Sequence, residues 1–208
     1  MFIDPQTTPG FKRSIFNAIV APRPIGWISS MGADGSVNLA PFSQFNLVST
    51  APPVVMFACN TPPDRAEKDT IANVRATGEF VVNLVSWELR EAMNTTSAPV
   101  PRGSDEFELA RIEKAASVKV RAPRVAASPA SLECRVLRII EIAPEFPGET
   151  RSTVVMGRVL GLHVGEGFLD SDGRFDTVKA QPITRLGGSY YAALGTVIEM
   201  PAPFTRAS

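Results

Sequence analysis

Side chains able to do chemistry are few in this sequence, and most of them are hydroxyls. There is one histidine, His163, inside a strand-like run, and two cysteines, Cys59 and Cys134, sit far apart in apolar settings. With no second imidazole and no thiol nearby, Cys–His nucleophilic catalysis has no support, and a lone histidine in a strand reads as a satisfied structural residue. Two separated cysteines make neither a cysteine-based zinc cage nor a disulfide framework. They read as buried free thiols in a reducing cytoplasm. No GxSxG elbow, Walker loop or GxGxxG after a strand occurs, and the carboxylates are scattered. Chemistry supplied by a bound cofactor is the reading that remains.

Where such a cofactor would attach is marked by hydroxyls and a lysine. Lys68-Asp69-Thr70 stands directly before a helical stretch, so helix-start amides, a hydroxyl and an ammonium form an anion cradle there. An ordinary cap with a solvated lysine is the competing reading. Ser29, Ser30 and Ser43 add hydroxyl donors, for which strand-end hydrogen bonding is the alternative, and Arg185 offers a guanidinium fork. The segment Pro41-Phe42-Ser43-Gln44-Phe45-Asn46 places small residues, an amide and a hydroxyl between two phenylalanines. That mixture suits a planar aromatic ligand with polar contacts.

The elements that must position these residues are mostly strands. Pro22-Arg23-Pro24 holds the chain extended, Ile25 to Met31 is strand-like, and Asp34-Gly35 signals a hairpin returning through Val37-Asn38-Leu39-Ala40. Phe45 to Thr50 follows, Ala51-Pro52-Pro53 breaks it, and Val54 to Cys59 is an apolar run of strand length. Four strands in about 40 residues predict an antiparallel barrel or sandwich. A helix over Ile71 to Ala76 is expected, capped by Asp69 or Thr70 and closed by Gly78. A strand over Glu79 to Ser86 and a helix over Trp87 to Asn94 come next. Thr95 to Ala130, with a short helix near Ser104 to Leu109, is too long for a hairpin loop and wraps over a face or reaches a partner subunit. Ser131 to Ile142 is a strand with Leu132, Cys134, Val136 and Ile140 inward. Thr153 to Val164 is another, its Gly157 and Gly161 marking bends or close backbone approach. Phe175 to Gln181 is an ambiguous third strand. A lead-in helix is expected over Gly10 to Ile19, and a frayed tail from Pro201.

The bulk properties bound the function. The 208 residues fit one domain over 1–208, and the 21 basic and 21 acidic residues cancel, so no long-range field recruits nucleic acid or anionic lipid. No apolar run approaches the ~18 residues of a bilayer span, and the N-terminus lacks a signal-peptide core. A cytoplasmic protein without membrane or nucleic-acid partners is expected.

Five blocks taken together resemble a known family: R-P-I-G-W-I-S-S at 23–30, N-L-A-P-F-S-Q-F-N at 38–46, K-D-T at 68–70 with Asn73, G-E-F-V-V-N at 78–83, and R-L-G-G-x-Y at 185–190. In this order they are similar to the flavin reductase-like, FMN-binding split-barrel proteins, most of all the flavoredoxin-type branch. The resemblance implies a mostly-β fold: a split β-barrel of six to seven antiparallel strands with Greek-key topology and a few flanking helices. It also implies a homodimer with one FMN per subunit. Carried across, Trp27, Ile28, Ser29 and Ser30 border the flavin, and Asn38, Ala40 and Phe45 contact ring or ribityl chain. Ser43, Lys68 and Thr70 take the phosphate, while Arg185, Gly187 and Tyr190 close the site. The implied activity is FMN-dependent oxidoreduction, a flavin reductase passing electrons from a small donor such as NAD(P)H to flavin or a redox partner protein. Many family reductases carry Gly-Asp-His at the start of the late strand, associated with the nicotinamide site. This chain has Arg151-Ser152-Thr153 there. The departure favours the alternative, an FMN-binding electron-transfer protein without its own substrate.

Overall fold

The computed structural model describes residues 1–8 and 13–201, with Arg13 described by its backbone. The expected helix start at Gly10 and most of the expected tail lie outside the described residues. In chain order come α1 (Arg13–Ile19), β1 (Arg23–Pro24), β2 (Gly26–Met31), β3 (Val37–Phe42), β4 (Gln44–Thr50), β5 (Pro53–Asn60), α2 (Asp69–Thr77) and β6 (Glu79–Asn83). A 3-10 turn at Trp87–Leu89 leads into α3 (Arg90–Thr95), so the helix expected over Trp87 to Asn94 is split in two. There follow α4 (Glu106–Leu109), β7 (Lys114–Ala115), β8 (Arg124–Val125), β9 (Ala130–Ile142), β10 (Ser152–Val164), α5 (Thr177–Ala180), β11 (Thr184–Arg185) and β12 (Tyr191–Ala192). The ambiguous stretch from Phe175 holds the short α5 rather than a strand, capped by Asp176, whose carboxylate accepts from the Lys179 amide.

One seven-stranded sheet, ordered β3-β2-β6-β9-β10-β5-β4 with every neighbour antiparallel, carries the fold. Its outermost strands, β3 and β4, are joined by Ser43 alone. The sheet must therefore curl until its edges meet, which makes it a split β-barrel. The meeting is tight: a Cβ on Gly26 of β2 would lie 2.7 Å from the Phe45 ring of β4. Inside, Phe57 touches Phe42 at 4.9 Å and Phe80 at 5.2 Å between ring centroids, and Ile28, Val55, Val82 and Val155 complete the core. At Gly157 a side chain, not another backbone, fills the space, since a Cβ there would sit 2.3 Å from Phe80 Cζ. Both cysteines are free and buried; burial raises both thiols, that of Cys134 to about 12, so neither is a nucleophile at neutral pH.

Strand β9 departs from simple alternation. Leu132, Cys134 and Val136 face the core as expected, but Ile140 is 40% exposed and Ile139 packs inward instead. The register between β9 and β10 slips at Leu137, since Met156 pairs with Arg138 and Gly157 with Val136. With a side-chain period of two, one extra residue exchanges the faces beyond it. The 95–130 excursion wraps a face, as one of the two expectations had it: Val120 and Ala122 pack on Val81, and α4 packs against β3.

His163 is structural. It hydrogen-bonds Glu133, a fully buried carboxylate that also accepts the amides of Val118, Lys119 and Val120. Burial opposes the charge of Glu133, but those amides and the imidazole outweigh it and hold the carboxyl below its usual 4.5. A carboxyl with a depressed folded-state pKa binds more protons unfolded than folded. Its stabilisation is thus complete above pH 4.5 and drains away as the pH falls through the lower, folded value. Urea midpoints across acid pH should therefore show a shallower acid decline for Glu133→Gln than for wild type, and identical slopes would contradict this assignment.

Candidate functional site

A groove opens where the barrel seam, the start of α2 and the 3-10/α3 segment converge. Its inner end is a cavity of about 220 Å³ lined by Asn38 and Ala40 of β3, Lys68, Thr70, and the strap Ser97 to Val100, with Arg65, Asp69 and Glu106 also in its wall. Through Pro41 and Ser97, which line both, this cavity meets a wider one of about 650 Å³. The wider cavity takes in Ser43, Trp87, Arg90, Asn94, Arg185 and Tyr191. Its volume lies within the range of small-molecule and cofactor sites.

The inner end is built around α2. Neither Asp69 nor Thr70 caps this helix. Lys68 is the N-cap residue, with no side-chain cap bond, and both expected caps lie inside the helix, Asp69 Oδ1 having no hydrogen-bond partner among the described residues. The Thr70 hydroxyl accepts from Asn38 Nδ2 at 2.9 Å, and Asp69 Oδ1 lies 3.8 Å from Arg65 Nη1. Having accepted from Asn38, the Thr70 hydroxyl keeps its own hydrogen for another acceptor. The Lys68 ammonium lies 5.4 Å from the Phe42 ring centroid and makes no ion pair among the described residues. Uncapped helix-start amides, a hydroxyl with a free hydrogen and an unpaired ammonium are the chemistry of an anion site.

At the other end Arg185 is held by the turn that follows it. Its guanidinium lies 4.5 Å from the Tyr191 ring centroid and donates to the Tyr191 hydroxyl and to the Gly188 carbonyl. Arg90 stacks 4.1 Å from the Trp87 ring centroid, so two cation–aromatic pairs border the wide cavity.

The structure brings together Asn38, Ala40, Lys68 and Thr70 in the inner cavity, but Ser43, expected beside Lys68 and Thr70 at the phosphate, lines the adjoining one with Arg185. Four other expected residues stand one strand behind. The register pairs Trp27 with Pro41, Ile28 with Ala40 and Ser30 with Asn38. Their side chains are fully buried: Trp27 donates to Thr96 Oγ at 2.9 Å, Ser29 donates to the Pro123 carbonyl, and Ser30 accepts from Asn73 Nδ2 at 3.2 Å. Phe45 packs on the core. Gly187 lets α1 approach, as a Cβ there would lie 2.7 Å from that of Ala18, and Tyr190 points out, 73% exposed. Sequence reasoning missed Tyr191, Trp87, Arg90, Arg65 and Glu106. The adjacent tyrosines of 190–191 were the available signal for the first, since strand neighbours point to opposite faces.

The family described as "Flavin reductase like domain" matches residues 20–179 of the chain. An uncharacterized protein of Aquifex aeolicus is 39% identical over 190 residues, which is 91% of this chain and 93% of that protein. Among solved structures, nitrilotriacetate monooxygenase component B from Bacillus cereus superposes with a TM-score of 0.88 at 30% identity, covering 96% of this chain and 98% of its own. Flavoredoxin of Desulfovibrio vulgaris shares the fold, with a TM-score of 0.76 at 18% identity over 94% of this chain and 96% of its own.

Proposed function

Because the chain belongs to the flavin reductase-like family, we propose that it is an FMN-dependent oxidoreductase whose flavin lies in the groove between Lys68 and Arg185. The observation that carries this reading is the continuity of the groove, from an anion-type pocket to a larger cavity bordered by aromatic–guanidinium pairs. Lys68 neutralises the phosphate, and Thr70, oriented by Asn38, donates to it. Ala40 and Pro41 form a smooth wall, with Trp27, Ile28, Ser29, Ser30 and Phe45 holding that wall from behind. Ser43 and Arg185 offer hydrogen bonds toward the far end of the ligand, with Gly187 and Tyr190 shaping the turn that positions Arg185. A flavin supplies hydride and electron exchange, so no side chain need act as a general base.

The same reading assigns a homodimer in the cytoplasm. Leu47 and Val48 on β4, Leu137 and Ile142 on β9, and Leu162 on β10 are exposed apolar residues of the kind an interface covers. Among the described residues no helix is long and apolar enough to cross a membrane. The reductant is a small donor such as NAD(P)H, with flavin or a redox partner protein as acceptor. The second reading, an electron carrier without its own donor site, is favoured by Arg151-Ser152-Thr153, none of which lines the groove. Mixing FMN-loaded protein with NADH and with NADPH under anaerobic conditions separates the two. Rapid bleaching of the visible flavin band is the expected result; a band that persists with both donors overturns the reductase and leaves the carrier.

A further inference from the structure

The wall of the inner cavity holds a carboxyl that the flavin reading does not use. Glu106, the first residue of α4, is 5% exposed and lines the cavity with Lys68 and Thr70. One of its oxygens accepts the Leu39 amide at 2.9 Å, and no cation lies within 4.0 Å of it among the described residues. The other charged groups of that cavity are Asp64, Arg65, Lys68 and Asp69. Asp64 is exposed and paired with Arg65 at 3.0 Å, and the same guanidinium lies 3.8 Å from Asp69. On its own element Glu106 follows Asp105, which caps α4 and pairs with Lys114 of β7. Lys68 and Asp69, at the start of α2, line the same cavity, and the charged groups that act on Glu106 are Asp69 and Asp105.

The cavity wall thus carries three carboxyls, Asp64, Asp69 and Glu106, against two cations, Arg65 and Lys68. A phosphate monoester would bring about −1.5 to −2 more charge into this cavity. The carboxyl that yields is the one without a cation. Asp64 is paired with Arg65, and Asp69 Oδ1, though without a hydrogen bond, lies 3.8 Å from the same guanidinium, whereas Glu106 has backbone amide donors and no cation among the described residues. We infer that Glu106 is the residue through which the groove senses the charge on its ligand's tail, taking up a proton when a phosphate-bearing ligand binds beside Lys68 and Thr70. Burial, the larger effect, and the nearby Asp69 and Asp105 already hold the Glu106 carboxyl above its usual range, so a second anion acts on a group predisposed to protonate. Protonated, it keeps an acceptor for the Leu39 amide and gains an O–H that can donate into the cavity. Affinity for phosphorylated flavin then falls as the pH rises, because each complex must draw one proton from an increasingly dilute supply.

This inference rests on the proposed flavin site, and one experiment separates the two. Isothermal titration with FMN and with riboflavin, in buffers of different ionisation enthalpy, counts the protons exchanged by wild type and by Glu106→Gln. Proton uptake with FMN that is absent with riboflavin, and absent or much smaller in the variant, is the expected result. The wild-type affinity for FMN should fall, by up to about tenfold per pH unit, as the pH rises above the range in which the Glu106 carboxyl of the free protein titrates, with the variant falling less steeply. FMN binding with equal proton uptake in both proteins overturns the role of Glu106 and leaves the flavin site standing. Failure of wild type to bind FMN overturns both. Should the variant not fold, infrared difference spectra of wild type with FMN against riboflavin should show a new protonated-carboxyl band, and its absence overturns the inference.

Discussion

Replacing Lys68 by alanine should weaken FMN by about 1.5–3 kcal/mol, roughly ten- to a hundredfold in Kd, while leaving riboflavin nearly unaffected. The two ligands differ only in the phosphate, and among the described residues Lys68 is the cation of the inner cavity without a carboxylate partner, Arg65 being paired with Asp64 and lying 3.8 Å from Asp69. Losing a charge-assisted hydrogen bond to a phosphate removes attraction that no neighbour replaces. Paired fluorescence titrations of the variant with both flavins check this. Equal losses for FMN and riboflavin would place the phosphate elsewhere in the groove.

The second large effect is on stability. Phe57→Ala should lower the unfolding free energy by about 3–5 kcal/mol, since truncating a buried phenylalanine removes its transfer free energy and leaves a cavity. Phe57 has no exposed surface and stands between the Phe42 and Phe80 rings at the centre of the barrel, where strands from both halves of the sheet must close around it. For a chain of this size that corresponds to a drop in Tm of roughly 6–20 °C. Phe57 lines neither cavity of the groove, so FMN affinity measured well below the transition should be retained. A loss below about 1 kcal/mol would show that the interior relaxes far more than a close-packed barrel allows.

Local signals carried the fold well where they were decisive. Asp34-Gly35 set the β2–β3 hairpin, with Gly35 at φ 86° in the left-handed region that glycine tolerates. Gly78 at φ 71° closed α2 as expected. Where tertiary partners compete, the local signal misled. Asp69 and Thr70 are good caps by type, yet Lys68 takes the N-cap position, the Thr70 hydroxyl accepts from Asn38, and Asp69 Oδ1 has no hydrogen-bond partner among the described residues. The Leu137 bulge is invisible in the pattern of β9, because only pairing with β10 reveals the extra residue, and so Ile140 was assigned the wrong face.

The candidate site follows the same division. Lys68, Thr70, Asn38 and Ala40 were legible because short motifs hold them close to the start of a helix or along one strand. Glu106 was not, because its burial comes from α4 packing on β3, a contact between segments far apart in sequence. The serines at 29 and 30 were legible as hydroxyls, but their use by Pro123 and Asn73 depends on elements that no local pattern connects.

That a phosphorylated flavin occupies this groove is tested by the absorption spectrum of the purified protein, incubated with FMN and then freed of unbound ligand by gel filtration. A visible flavin band that co-elutes with wild type and is diminished in Lys68→Ala is the predicted result. A colourless wild-type protein that takes up no added FMN contradicts it.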